Sequence, residues 1–202
     1  MDRSQLAELH YITAIDNVPS MLKLGLLCHV AAEDVVHTSV AMEDIQARRA
    51  KKQVPGGCRL HEYVNLYVNG RNIMLSKVLY GASVHAICLL QVSTAVLDLP
   101  DVVVTDQNAA SDYVRFADAS TGLRRIDQST VFAASWKYPD DQIAEWRHQS
   151  AMCAEVLVPT VVDSGFIVGA YVGSGGARRR MSSAAPSLPV ILDPYKFFRE
   201  GM

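Results

Sequence analysis

Apolar residues come in short runs along this chain, and polar or turn-forming residues cut those runs at close intervals. Residues 9–13 predict a short strand. Asp16 and Asn17 then offer caps for a helix with Pro19 in its first turn and Gly25 at its end. A second helical stretch is expected over 40–52, carrying Arg48, Arg49, Lys51 and Lys52 and stopped by Pro55-Gly56-Gly57. β-Branched and aromatic residues predict a strand over 63–68, followed by a turn at Asn69-Gly70. Residues 84–92 form a strongly apolar strand with a central place in the sheet, and 102–105 another, closed by the polar turn Thr105-Asp106-Gln107-Asn108. Pro139-Asp140-Asp141 opens a polar helix through Arg147, and residues 155–158 and 166–172 read as strands. The stretch 173–189, rich in Gly, Ser, Ala and Pro with three arginines, is expected to be a mobile loop.

Strands outnumber helices without alternating regularly with them, which points to an α+β domain rather than a doubly wound one. The 202 residues fit one domain over 1–202, with enough apolar content for a core that needs no disulfide or metal. A net charge of −2 does not advertise a polyanion binder, so any such site must be a local patch. The four cysteines are scattered without a CxxC pair, and the six histidines lack HExxH spacing, so no metal site is expected. The opening MDRSQLAELH lacks the basic-then-apolar pattern of a signal peptide. The apolar stretch 84–99 is broken by His85, Gln91, Ser93, Thr94 and Asp98, which excludes a membrane span. Reduced thiols and a cytoplasmic location follow.

Three features carry possible chemistry. FIVGAYVGSGGA suggests a dinucleotide loop, but the spacing fails: Arg178 stands where the third glycine belongs, and no helix N-terminus is expected after it. The basic run of Arg48, Arg49, Lys51 and Lys52, joined by Arg59, has no acid between Asp44 and Glu62. It reads either as a solvated helix face or as an anion site for a diphosphate or a phosphate backbone. Glu155 interrupts an apolar run in MCAEVLVP. A carboxylate there is either paired at a cleft or turned to water on an edge strand.

Five segments in order bear on the family. LHYITAIDNVPSMLKLGLL resembles the N-terminal strand and helix of DarT-type DNA ADP-ribosyltransferase toxins. DIQARRAKKQVPGG and LHEYVNLYVNGRNIMLSK resemble that family's arginine segment and its LHDYV-type stretch. VVVTDQNAASDYVRF is similar to its Thr-Asp turn, and MCAEVLVP to the segment bearing its glutamate. The resemblance spans residues 9–171.

The resemblance implies an ADP-ribosyltransferase fold of two packed, mainly antiparallel sheets with flanking helices and an NAD⁺ cleft. It implies transfer of ADP-ribose onto a base of single-stranded DNA, guanine or thymine, by a toxin that a macrodomain-type antitoxin neutralises. RNA or protein as acceptor, or an inactive binding module, are the rival readings. Glu155 and Arg48 are the implied catalytic pair, with Arg49 as the alternative arginine. His10, Tyr11, Ile12, Thr13, Arg48, Arg49 and Tyr67 are implied to hold NAD⁺, and Arg147, His148, Gln149 and Asn108 to face the acceptor. Two departures stand out: Tyr11 occupies the place of the family's usual histidine, with His10 one position earlier, and Asn108 stands where many thymine-modifying members have histidine. Glu155→Ala is expected to abolish transfer while leaving folding largely intact.

Overall fold

The structure, a computed structural model, describes residues 1–199. The chain runs β1 (Leu9–Ala14), α1 (Val18–Leu24), β2 (Leu26–Leu27), α2 (His29–Ala32), α3 (Glu43–Ala50), β3 (Tyr63–Tyr67), α4 (Ile73–Gly81) and β4 (Ile87–Val92). It continues with β5 (Val103–Thr105), β6 (Phe116–Asp118), α5 (Ala119–Arg125), α6 (Gln128–Val131), α7 (Gln142–Ala151), β7 (Glu155–Pro159), β8 (Val161–Val162), β9 (Ile167–Val172), α8 (Gly175–Ala184) and β10 (Val190–Leu192). This is an α+β fold.

Eight strands form one sheet in the order β10-β9-β4-β1-β3-β7-β5-β6, and β2 pairs with β8 in a separate two-stranded ribbon. Neighbours in the large sheet are antiparallel except β9 and β10, which the crossover helix α8 joins in parallel. The expected two sheets correspond to two four-stranded halves. Only one residue pair, His10 opposite Tyr67, joins them at the β1–β3 seam.

Period-2 alternation sends side chains to both faces of the sheet. Leu66, Leu90, Val92 and Val156 pack on one face with Val18 of α1, Leu123 of α5 and Met181 of α8. On the other face, Leu75 and Val78 of α4 meet Leu89 and Phe197. Gly25 ends α1 at φ +82°, where an L side chain would be strained. A Cβ there would also lie 2.4 Å from the carbonyl oxygen of Val162, so glycine lets α1 turn tightly onto the ribbon.

The segment 173–189 is not a mobile loop. Residues 175–184 form α8, whose N-cap Ser174 accepts a hydrogen bond from the Ala177 N–H at 3.1 Å. Such a cap contributes about 1 kcal/mol. Ala177 and Met181, four apart, are both fully buried, and Arg180 pairs with Asp16. The Gly-Gly pair at the helix start masks a two-point apolar stripe that is enough to dock the helix.

Candidate active site

Antiparallel pairing would carry β1 past β3 over its whole length, yet the strands part after His10–Tyr67. Beyond that point β1 pairs only with β4, and β3 only with β7. The gap becomes a cleft of about 1320 Å³ with its mouth included, flanked by Tyr11, Ile12 and Thr13 on one side and Tyr63, Asn65 and Tyr67 on the other. Along 11–14, the backbone groups of β1 on the β3 side have no strand partner. They offer amide donors and acceptors to anything that enters.

The segment between α2 and α3 closes over this cleft through His37, Thr38, Ser39 and Val40. Asn17 holds it down. Its Oδ1 accepts from the Thr38 N–H at 2.8 Å, and its Nδ2 donates to the Thr38 carbonyl at 2.9 Å and to Thr13 Oγ1 at 3.2 Å. A side chain expected to cap α1 ties a loop to a strand instead, and makes no cap bond.

At the inner end of the cleft, Arg49 Nη1 donates to Glu155 Oε2 at 2.9 Å. The Ala109 N–H donates to Oε1 at 3.0 Å, and the Glu155 N–H to Thr105 Oγ1 at 3.1 Å. β7 lies between β3 and β5, so Glu155 is an acid on an interior strand, with no exposure at all, rather than one on an edge. Burying an unpaired carboxylate would be prohibitive, and the guanidinium on one oxygen with the Ala109 N–H on the other makes it tolerable. For the same reason Glu155→Ala would leave Arg49 buried without its counter-charge, so a loss of stability is expected in place of intact folding. The carboxylate itself lines neither cavity. Arg49 stands in front of it.

Arg48 is not the cleft arginine. Successive helical residues point about 100° apart. The inward face of α3 carries Ile45 and Arg49, which turns Arg48 outward onto Asp44 at 3.4 Å. The basic run is therefore no single patch, because Arg49 is buried on Glu155 and Lys52 pairs with Asp112 at 3.1 Å.

Three buried polar atoms here lack a protein partner: Arg49 Nη2, Gln46 Oε1 and His61 Nε2. Gln46 and Arg49, three apart on α3, both line the cleft. Buried polar groups are nearly always satisfied, so orphans at a cleft wall suit a polar ligand. Burial, His29 and Arg49 push His61 below its ordinary pKa, and its ring lies 4.2 Å from that of His29. Burial and then Glu155 push Tyr67 well above the usual phenol value, so it stays a neutral hydroxyl.

A second cavity, about 870 Å³ with its open mouth included, adjoins the cleft, with Ile45, Met74 and Asn108 lining both. Its other walls include Arg48, Lys77, Gln149 and Ser150.

Of the residues expected to hold NAD⁺, Tyr11, Ile12, Thr13, Arg49 and Tyr67 line the cleft, while His10 and Arg48 do not. His10 points away from Tyr11 and Thr13, and its Nε2 meets Glu8 Oε1 at 3.1 Å. Its ring packs on Gly70, where an added Cβ would come within 2.7 Å. Of the residues expected to face the acceptor, Asn108 and Gln149 line the second cavity and Arg147 lines neither. His148 braces α7, with Nε2 2.9 Å from the Thr130 carbonyl and Nδ1 3.1 Å from the Tyr138 hydroxyl. Sequence reasoning missed Asn17 and Gln46 as cleft residues. The only signal for Gln46 is its place one helical turn before Arg49. Among the described residues, no group of three or more His, Cys, Asp or Glu could hold a metal ion.

A sequence model of the family described as "ssDNA thymidine ADP-ribosyltransferase, DarT" matches residues 10–199. A DNA ADP-ribosyl transferase–DNA ADP-ribosyl glycohydrolase fusion protein of Thermosipho africanus is 30% identical over 95% of this chain, which spans 49% of that protein. The chain thus covers about half the length of this relative. A DNA ADP-ribosyl transferase of a Thermus species is 30% identical over 66% of this chain and 68% of its own. Among solved structures, the Thermosipho africanus DarTG complex with ADP-ribose superposes with a TM-score of 0.82 at 29% identity, over 95% of this chain and 51% of that one. Thermus DarT in complex with ADP-ribosylated single-stranded DNA has the same fold, with a TM-score of 0.84 at 23% identity over 98% and 99% of the two chains. With the family model running nearly end to end along the strands and helices that build the cleft, the chain belongs to the DarT family.

Proposed function

We propose that this chain is an NAD⁺-dependent ADP-ribosyltransferase that modifies a base of single-stranded DNA. In this reading it acts as a single domain over 1–202 in the cytoplasm, as the toxin of a toxin–antitoxin pair. The buried Arg49–Glu155 pair carries the reading, set where the cleft between the sheet halves meets a second cavity. The family match supports the reaction, and relatives solved with NAD⁺ and with ADP-ribosylated single-stranded DNA support the two substrates. The Thermosipho relative, which joins transferase to glycohydrolase, supports an antitoxin that removes ADP-ribose. No helix among the described residues is long and apolar enough to cross a membrane.

The cleft residues fit the donor. The orphaned Arg49 Nη2 supplies a charge-assisted hydrogen bond for a diphosphate oxygen, and the open edge of β1 suits a carboxamide. Transfer breaks the bond between ribose and nicotinamide and forms one between the same ribose carbon and a base nitrogen. Positive charge grows on the ribose at the transition state, and the Glu155 carboxylate stabilises it there. Glu155 then takes the proton that the base nitrogen loses. Because Arg49 screens Glu155 from the cleft, the bound diphosphate also draws the guanidinium forward and frees the carboxylate.

The second cavity is the acceptor side. An unpaired base enters it at far less cost than one held in a duplex, which must first be extruded for a few kcal/mol. Asn108 Oδ1 is occupied by the Ala110 N–H at 2.9 Å, so its Nδ2 is the group left for a base carbonyl. Thymine and guanine both present one. The deciding experiment incubates the protein with labelled NAD⁺ and separate DNA, RNA and protein acceptors. Label on a nucleoside from single-stranded DNA, located by mass spectrometry, supports this reading. Label only on RNA or protein rejects it.

A further inference from the structure

Two large aromatic side chains stand in water at the rim of the second cavity. Trp146 of α7 is 60% exposed, and Tyr113, in the turn after β5, is 87% exposed. Neither is packed into any core cluster. Leaving such surfaces uncovered forgoes apolar burial that folding usually exploits. Both flank the cavity that shares Ile45, Met74 and Asn108 with the cleft, so they sit beside the reaction centre.

The rest of that rim matches a polyanion with flat, stackable faces. Lys77 brings positive charge to it beside Arg48, which pairs with Asp44 at 3.4 Å, and the carboxylate of Asp112 is offset by Lys52 at 3.1 Å. Inside, Ser150 Oγ is buried without a hydrogen-bond partner. Cations that follow a phosphate backbone, combined with exposed aromatic faces, are how proteins grip single strands, because every base offers a π-face to stack on. A folded protein acceptor would instead ask for a broad surface, not two isolated exposed rings at the rim of a cavity.

We propose that Trp146 and Tyr113 stack on the bases either side of the reacting nucleotide, and that these two rings set how firmly, and in which sequence context, a strand is held. This rests on the acceptor assignment above. One unpaired base drops into the cavity while its neighbours are clamped outside it. Stacking discriminates by the strength of the stack, so purine flanks are held better than pyrimidine flanks. Abasic flanks are held worst.

The test uses oligonucleotides with a single modifiable base and steady-state kinetics of the wild-type, Trp146→Ala, Trp146→Phe and Tyr113→Ala proteins. Each alanine variant is expected to raise KM for the strand about tenfold, with kcat and KM for NAD⁺ nearly unchanged. Trp146→Phe should recover most of the loss. An abasic site beside the target should weaken the wild type in the same way, and should weaken Trp146→Ala little further if it removes the same stack. Unchanged strand KM in both alanine variants, or losses confined to kcat or thermal stability, would overturn the proposal while leaving the transfer reaction standing. If wild-type protein labels protein acceptors but no oligonucleotide, the acceptor assignment itself falls and takes this proposal with it.

Discussion

Arg49 Nη1 and Glu155 Oε2 lie 2.9 Å apart with the two side chains 6% and 0% exposed, so each is the other's counter-charge in a setting that water hardly screens. Geometry of this kind ties chemistry to stability. Glu155→Gln keeps the shape and an acceptor for Arg49, whereas Glu155→Ala strands the guanidinium. Both are expected to lower transfer by about 10²-fold or more. Glu155→Ala should also cost about 3–5 kcal/mol of stability, and Glu155→Gln less. Denaturant titration beside an activity assay separates the effects. A fully active Glu155→Gln protein would reject the assignment.

The neighbouring arginines should behave oppositely toward the donor. Arg49→Ala removes both the orphaned Nη2 in the cleft and the partner of Glu155, so NAD⁺ binding and turnover should fall together. Arg48 meets only Asp44 on the exposed side of α3, a pair worth at most about 0.5 kcal/mol. Calorimetric NAD⁺ affinity should be unchanged in Arg48→Ala. Strand KM and its salt dependence are where that variant should differ.

Asn17 offers a test of how the cleft is closed. Asn17→Ala removes the three hydrogen bonds that tie Thr38 to Thr13. With about 1 kcal/mol per hydrogen bond, each bond lost is worth about fivefold, so KM for NAD⁺ should rise at least about fivefold with little change in kcat. Amide exchange over residues 33–42 should accelerate. Unaltered exchange there would mean the segment is held by other contacts.

A fourth expectation concerns acid. Burial pushes the Glu8 carboxyl upward, but hydrogen bonds from His10 and Gln91 outweigh it and hold the group at about 2, against 4.5 when unperturbed. A depressed carboxylate pKa stabilises the fold above the unfolded value, and that stabilisation is lost as pH falls from about 4.5 to about 2. Melting temperature measured across this window should fall more steeply for wild type than for Glu8→Gln. Parallel curves would show that Glu8 is not the group responsible.

Much of the site was written in local sequence. An acid inside an apolar run, an arginine-bearing helix and the Thr-Asp turn name the parts that meet at Glu155. Which of two adjacent arginines faces inward was not legible, because it depends on where α3 sits, and one residue turns the side chain by about 100°. His10 shows the converse. Period-2 alternation along β1 puts it on the face away from Tyr11, where it meets Glu8. Helix α4 escaped notice because its residues are apolar nearly all round and show no stripe, while its cap, Asn72, accepts from the Met74 and Leu75 N–H groups at 2.9 and 3.0 Å. The tie Asn17 makes to Thr38 reaches 21 residues along the chain, and Gln46 Oε1 has no partner among the described residues, so no local pattern encodes either role.

The seam at His10–Tyr67 also governs how the molecule is assembled. The chain passes from one sheet half to the other four times: from β1 to β3, β3 to β4, β4 to β5 and β7 to β9. Neither half is a contiguous stretch that could fold by itself first. One is finished only when β9 and β10 join it, after every strand of the other half has been made. Pairings so distant in sequence close large loops before any contact repays them, which slows folding relative to a locally wired domain of equal size. A ribosome would therefore have to release every residue through β10 before a finished cleft existed, and a chain cut short before β9 would carry Arg49 and Glu155 with no finished scaffold to hold them.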